Sequence, residues 1–248
     1  MPVRDQSGLL EEIQRLRDAL AAREREATEK ERQLERYAAD LRETFKRERQ
    51  RAQELRASYA ATVRALSDAV EARDAYTGKH AERVTAYGME IARRYRVPLS
   101  DELEFGFLLH DVGKVAIPDA ILYKPGPLTD EERALMARHP VIGAQIVRGI
   151  EFLAGAIDVV RCHHERWDGR GYPDGLRGEE IPVSARVFAV ADVFDALTTD
   201  RPYRPASATR VAREMVTAGA GSQFDPRAIE AFNEIDDRTL ERIAAQIG

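Results

Sequence analysis

Residues 163–173, HHERWDGRGYP, set two histidines side by side and follow them with a charged, glycine-punctuated loop ending in Tyr-Pro. The chain has five histidines in 248 residues, and the other three are His80, His110 and His139. Adjacent imidazoles fill a core poorly, but they offer nitrogen donors to a borderline divalent metal. On a helix, neighbouring side chains point about 100° apart, so His163 and His164 are expected to serve two neighbouring ions rather than one. All five histidines lie beyond residue 79, within one region of the chain.

Carboxylates accompany them. Asp111 directly follows His110, and Asp192 and Asp195 stand one helical turn apart within the apolar run VFAVADVFDAL at residues 187–197. A carboxylate in so apolar a run is costly to bury unless a cation or hydrogen-bond donors meet it. Several helices projecting His and Asp inward is a way in which helical bundles build metal sites. Two neighbouring metals, bridged by Asp111 and holding a hydroxide between them, would supply a nucleophile near neutral pH and a clamp for a phosphoryl centre, which points to phosphoester hydrolysis.

Around these residues the sequence reads as helices of ordinary length. Ser100 caps a helix running through Leu109 to His110, and Thr129 with Glu132 forms a capping box for a helix to about residue 138. His139 followed by Pro140 reads as an N-cap and first helical position. Further helices are expected at about 154–165, 182–197, 207–218 and 226–247. No period-two run demands a sheet, so this part, residues 71–248, is expected to be all α.

Residues 1–70 have a different texture. Between Gly8 and Gly78 there is no glycine, and no proline occurs between Leu9 and Val70. Leu9, Ile13, Leu16, Leu20, Ala27, Leu34, Tyr37 and Leu41 recur at heptad spacing, with Phe45, Ala52, Leu55, Tyr59 and Leu66 resuming it after one extra four-residue step. One long coiled-coil helix is expected, joining two protomers as a homodimer.

HDVGK (110–114), His139-Pro140, HHERWDGRGYP (163–173) and ADVFDALTTDRPYR (191–204) together resemble the HD-GYP family, a branch of the HD-domain metal-dependent phosphohydrolases. EARDAYTGKHAERV (71–84) fits its opening helix and GSQFDP (221–226) its closing one. The resemblance implies an HD-type helical bundle that hydrolyses cyclic di-GMP to pGpG and onward to GMP in bacterial second-messenger signalling. It implies metal ligands at His80, His110, Asp111, His139, His163, His164 and Asp192, and favours iron or manganese. Lys114 would stabilise charge on the scissile phosphate, and Asp195 would orient a ligand or the attacking hydroxide. Gly171, Tyr172 and Pro173 would shape the pocket, with Arg201 and Arg204 on a base or the phosphates. Some members carry a Glu where this chain has Tyr76, four residues before His80, so two metals rather than three are expected.

Composition narrows the rest. A formal net charge of -5 argues against coating a nucleic-acid polymer. The single cysteine, Cys162, forms no internal disulfide and reads as a small core residue, and no stretch has the roughly 18 apolar residues of a spanning helix, so a cytoplasmic protein without membrane insertion is expected. The chain opens almost directly on the coil, so the stimulus is expected to come from a separate sensor protein or from a longer protein of which this chain is a fragment. Two alternatives stay open: a phosphohydrolase for another cyclic dinucleotide or nucleotide, and a cyclic di-GMP-binding signalling module with little turnover.

Overall fold

The structure, a computed structural model, describes residues 5–73, 79–200 and 204–247. Among them there are eleven α-helices, three 3-10 turns and no β-strand. The chain divides into two compact units, Met1–Ser58 and Tyr59–Gly248. The first is formed by most of α1 (Asp5–Glu71). Its seam residues Leu9, Leu16, Leu20, Leu34, Tyr37, Leu41 and Phe45 are all more than half exposed within the single chain.

The second unit starts with the last turns of α1 and is built around α2 (His80–Tyr95) and α8 (Val183–Thr198). α8 carries the apolar run read above, and a helix apolar on most faces belongs at the centre of a bundle. Val187, Phe188, Val190, Ala191 and Phe194 of α8 accordingly pack with Val84, Tyr87 and Ile91 of α2. The amphipathic helices α9 (Thr209–Thr217), α10 (Pro226–Asn233) and α11 (Asp237–Ile247) cover that pair with Val216, Phe232 and Leu240. A second cluster joins Val63 and Val70 of α1 to Phe105 and Leu108 of α3 (Asp101–Leu108), Val147 of α6 (His139–Arg148), Leu153 of the 3-10 turn that follows it, and Val160 of α7 (Ile157–Cys162). Between α3 and α6 lie the short helices α4 (Asp119–Leu122) and α5 (Asp130–Met136), the latter opened by the expected Thr129 and Glu132 capping box.

Three boundaries differ from the sequence reading. His139 is the first residue of α6 and not its cap, which is Arg138 in helical conformation. The stretch expected as one helix at 154–165 is a 3-10 turn, Glu151–Ala156, followed by α7, which stops at Cys162. The last expected helix breaks into α10 and α11, because Ile235 turns inward between them and Asp236 bonds the Thr239 N–H to start a new helix.

Candidate metal centre

Each of the histidines sits at a helix end or just past one. His80 opens α2, His110 follows α3, His139 opens α6, and His163 and His164 follow α7. Helix ends let the backbone turn the rings toward a common point, and one glycine fixes how close two of them come. Gly113 lies in the 3-10 turn Val112–Ala116 directly after Asp111, against the first turn of α6. A Cβ there would stand 2.6 Å from the Gly143 nitrogen, 2.8 Å from the His139 carbonyl carbon and closer still to its oxygen.

The result is a group of facing donors. Asp111 Oδ1 is 3.2 Å from His139 Nε2 and 3.9 Å from His163 Nε2, while Oδ2 is 3.1 Å from His110 Nε2 and 2.8 Å from Lys114 Nζ. His80 Nε2 is 3.3 Å from Asp192 Oδ1. Donor atoms of Asp111, His139, His163 and His164 lie within 4.8 Å of one another, as do those of His80, His110 and Asp192. The Asp111 carboxylate therefore faces both groups.

Hydrogen bonds on the far side of the rings decide what these nitrogens can do. Nδ1 of His110 donates to the Phe107 carbonyl at 2.9 Å, that of His139 to Met136 at 2.8 Å, and that of His163 to Val160 at 3.0 Å. A carbonyl only accepts, so each Nδ1 carries the proton and each Nε2 presents a lone pair. His80 Nδ1 likewise donates to Asp195 Oδ2 at 2.7 Å. The Nε2 atoms of His139 and His163 then face each other at 3.1 Å with lone pairs toward lone pairs. Such an arrangement is repulsive between neutral rings and becomes favourable with a cation between them. The donor set fits one or more divalent metal ions.

The electrostatics agree with the donor geometry at His163, His164, Asp111 and Asp192, while His80 must release its Nε2 proton before it can ligate a cation. Burial, reinforced by the neighbouring His164, His110 and His139 rings, pushes His163 well below the usual imidazole range; burial and His139 bring His164 down to about 4. Both rings are neutral at physiological pH. Burial would raise the carboxyls of Asp111 and Asp192, but Lys114 and His110 around the first, and His80 beside the second, hold both below the usual carboxylate range. Burial would lower His80, yet Asp192 and Asp195 outweigh it and hold the ring up at about 10.

One expectation about the histidine pair is corrected. Donor atoms of His163 and His164 lie together in one group with those of Asp111 and His139, although His163, the C-cap of α7, keeps a helical backbone. The loop that follows folds back on them. Gly171 passes so close that an added Cβ would stand 2.5 Å from Glu165 Cα and 2.6 Å from the His164 carbonyl oxygen. Tyr172 N donates to that carbonyl at 3.3 Å, and the Tyr172 ring lies 4.7 Å from the His164 ring, centre to centre. Pro173 follows directly. Arg204 donates to the Ala196 carbonyl of α8, while Arg201 and Tyr76 lie outside the described residues. Cys162 is buried, and burial pushes its thiol up to about 12.

Two further residues shape the site without having been singled out in the sequence. Glu165 is 3 % exposed, and its carboxylate accepts the backbone N–H groups of Asp174 at 2.7 Å, Gly175 at 3.1 Å and Leu176 at 3.0 Å, which ties down the loop carrying Tyr172. Arg83 Nε donates to Asp195 Oδ1 at 2.7 Å, so the carboxylate that holds His80 is itself held. The available signals were position alone: Glu165 follows the histidine pair, and Arg83 stands three residues after His80 on one helical face.

Comparison with known proteins places this geometry. Residues 64–228 match the HD domain family. The chain is 41% identical over 202 residues to a cyclic di-GMP phosphodiesterase of Vibrio cholerae, covering 75% of this chain and 41% of that protein. It is 40% identical over 228 residues to the cyclic di-GMP phosphodiesterase response regulator RpfG of Xanthomonas campestris, with 88% of this chain and 57% of the relative covered. A 3'3'-cGAMP-specific phosphodiesterase of Vibrio cholerae is 41% identical over 185 residues, with 73% and 35% covered. The chain thus spans roughly half or less of the length of these relatives. Among solved structures, a cyclic GMP-AMP phosphodiesterase of Vibrio cholerae superimposes with a TM-score of 0.54 at 22% identity, over 75% of this chain and 52% of that one, a likeness of fold.

Proposed function

Because this chain belongs to the HD domain family, with the HD-GYP signatures in place, we propose that it is a metal-dependent phosphodiesterase for cyclic dinucleotides, cyclic di-GMP first among them. The observation that carries this reading is the set of Nε2 lone pairs converging on Asp111, with the Lys114 ammonium 2.8 Å from the same carboxylate. His139, His163, His164 and Asp111 would hold one divalent ion and His80, His110 and Asp192 a second, with Asp111 shared. Iron or manganese suits the mixed imidazole and carboxylate donors. When bound, such a pair of ions polarises phosphoryl oxygens and makes a water nucleophilic near neutral pH.

The chain's own residues do the rest. Lys114 stands at the edge of the donor group, where its positive charge meets the negative charge that grows on a phosphoryl oxygen. Asp195, held by Arg83, keeps the His80 ring oriented. Tyr172 on the returning loop forms a wall beside His164 on which a purine can stack, and Gly171 and Pro173 set that wall's distance. Arg204, with one N–H given to Ala196, keeps further donors for a base or phosphate, and Arg201 is assigned the same task from its sequence position.

A second substrate reading has an observation of its own behind it, since a relative named for 3'3'-cGAMP shares the same 41% identity with this chain as one named for cyclic di-GMP. Competition between the two purified dinucleotides, with chromatography of linear and mononucleotide products, separates them: the preferred one is cleaved first, and cyclic di-GMP is expected to give pGpG and then GMP. Loss of neither, with either dinucleotide still bound, would favour a binding module. The exposed seam of α1 supports a homodimer through residues 9–55, receiving its input from a separate sensor. No helix among the described residues is long and apolar enough to cross a membrane.

A further inference from the structure

The final turns of α1 lie in the second unit, and two side chains there, with Arg73 two residues past the helix end, reach backbone that flanks the candidate metal donors. Ser67 Oγ donates to the Leu108 carbonyl at 2.9 Å, two residues before His110. That carbonyl belongs to the last residue of α3 and has no partner one turn on within its own helix, so the hydroxyl satisfies it. Glu71 Oε1 accepts the Ala81 N–H at 2.6 Å, directly after His80. α2 has no side-chain cap of its own, since Lys79 before it sits in the left-handed region and offers no acceptor. The Glu71 carboxylate therefore supplies from another helix the acceptor and the negative charge that a helix N-terminus favours.

On the other side of His110 and Asp111, Arg73 donates to the Val115 carbonyl at 2.6 Å, to the Ile117 carbonyl at 3.3 Å and to Asp119 Oδ1 at 2.6 Å. Val115 directly follows Lys114. Beneath these polar contacts Val63, Leu66 and Val70 pack on Phe105, Leu108, Leu109 and Val112. Ser67 and Glu71 also line the same small cavity as His80, His110 and Asp111. One short segment, the end of α1 and the two residues after it, thus grips the backbone beside His80 and on both sides of the His110–Asp111 pair.

We propose that Ser67, Glu71 and Arg73 are positioning residues, and that residues 59–73 form the segment through which the geometry, and hence the metal affinity, of the centre is set. The inference rests on the metal reading given above. A rotation or shift of this segment moves Ala81 through Glu71 and moves Leu108 and Val115 through Ser67 and Arg73. The backbone carrying His80 and Asp111 then moves with it, because each of these side chains is bonded to main chain of the donor segments and not to a flexible side chain there. A change imposed on α1 needs no contact with substrate to alter the site.

The test uses the full chain and no substrate. Metal-free wild type, Glu71→Ala, Glu71→Gln, Ser67→Ala and Arg64→Ala are titrated with Mn2+, and exchange of the Ala81 amide is followed in parallel. Arg64 is a control on the same helix, paired with Glu104 away from the donor segments. Glu71→Ala is expected to weaken Mn2+ binding by roughly 10–100-fold and to speed exchange at Ala81, the size typical of removing an outer partner of a metal ligand. Glu71→Gln, which keeps an acceptor oxygen, restores most of the affinity, and Arg64→Ala leaves it unchanged. If Glu71→Ala does not fold, Ser67→Ala, lacking a single hydroxyl, carries the same comparison. Unchanged Mn2+ affinity in Glu71→Ala or Ser67→Ala, or an equal loss in Arg64→Ala, overturns the inference alone. A wild type that takes up no metal overturns the metal reading with it, whichever dinucleotide is the substrate.

Discussion

Replacing Gly113 by alanine tests how the centre is assembled, because the perturbation is one methyl group placed between two donor segments. The added Cβ would stand 2.6 Å from Gly143 N and nearer to the His139 carbonyl oxygen, against ordinary contact beginning at 3.4 Å. Backbone lies on both sides, so neither can rotate out of the way. The turn carrying Asp111 and the start of α6 carrying His139 must separate by roughly 1 Å, at a cost of about 1–3 kcal/mol for overpacking. Asp111 Oδ1 and His139 Nε2, now 3.2 Å apart, move with them. Misplacement of about 1 Å at a reacting centre is worth on the order of 100-fold in rate. The assay is metal content, turnover of cyclic di-GMP and thermal denaturation of Gly113→Ala beside Gly149→Ala, whose Cβ would meet nothing nearer than 3.9 Å. Expected are a loss of bound metal, a fall in kcat on the order of 100-fold and a Tm lower by about 2–4 °C per kcal/mol for the glycine in the turn, with Gly149→Ala near wild type. Gly113→Ala with full metal and full turnover would refute the argument that close backbone approach sets the donor spacing.

Other expectations follow from single contacts. Glu165→Gln replaces one acceptor oxygen facing three backbone N–H groups with a donor, and should destabilise by at least about 1.5 kcal/mol in chemical denaturation while raising KM more than it lowers kcat. An unchanged KM would separate the loop from substrate binding. Burial pushes the Tyr87 phenol up to about 12, from an ordinary value near 10, so its neutral form contributes stability that is fully present below pH 10 and lost as pH rises toward 12. The Tyr87→Phe protein keeps the ring packed on Phe194 and should lose about 3 kcal/mol less than wild type across that interval; parallel curves would contradict this. Leu16→Asp together with Leu20→Asp should convert a dimer to a monomer in sedimentation, and a wild-type monomer at working concentration would end the coiled-coil proposal.

Much of this architecture could be read from the chain because it rests on local signals. Pro182 and the apolar run after it marked a helix at about 182–197, and α8 lies there; Thr129 and Glu132 marked a helix start, and α5 begins there. The helical offset between His163 and His164 did not reveal that their donor atoms share one group, because where those atoms converge depends on Asp111 and His139, which come from distant parts of the chain. Glu165 escaped notice because its partners are backbone groups nine to eleven residues away, and amide groups have no sequence signature. Gly113 belonged to a recognised motif, yet its tight approach to α6 is a long-range contact that spacing cannot show. Glu71, similarly, acts on the N–H of Ala81 ten residues on, and its reach depends on where α2 starts.

The central claim is that the converging imidazoles and Asp111 hold metal for phosphodiester cleavage. Its most direct test is anaerobic purification of the wild type and of Asp111→Ala with iron or manganese, metal analysis of both, and chromatography after incubation with cyclic di-GMP. About two metals per wild-type chain with pGpG or GMP appearing, and loss of both metal and product in Asp111→Ala, is the predicted result. Hydrolysis at an undiminished rate by Asp111→Ala would contradict the account.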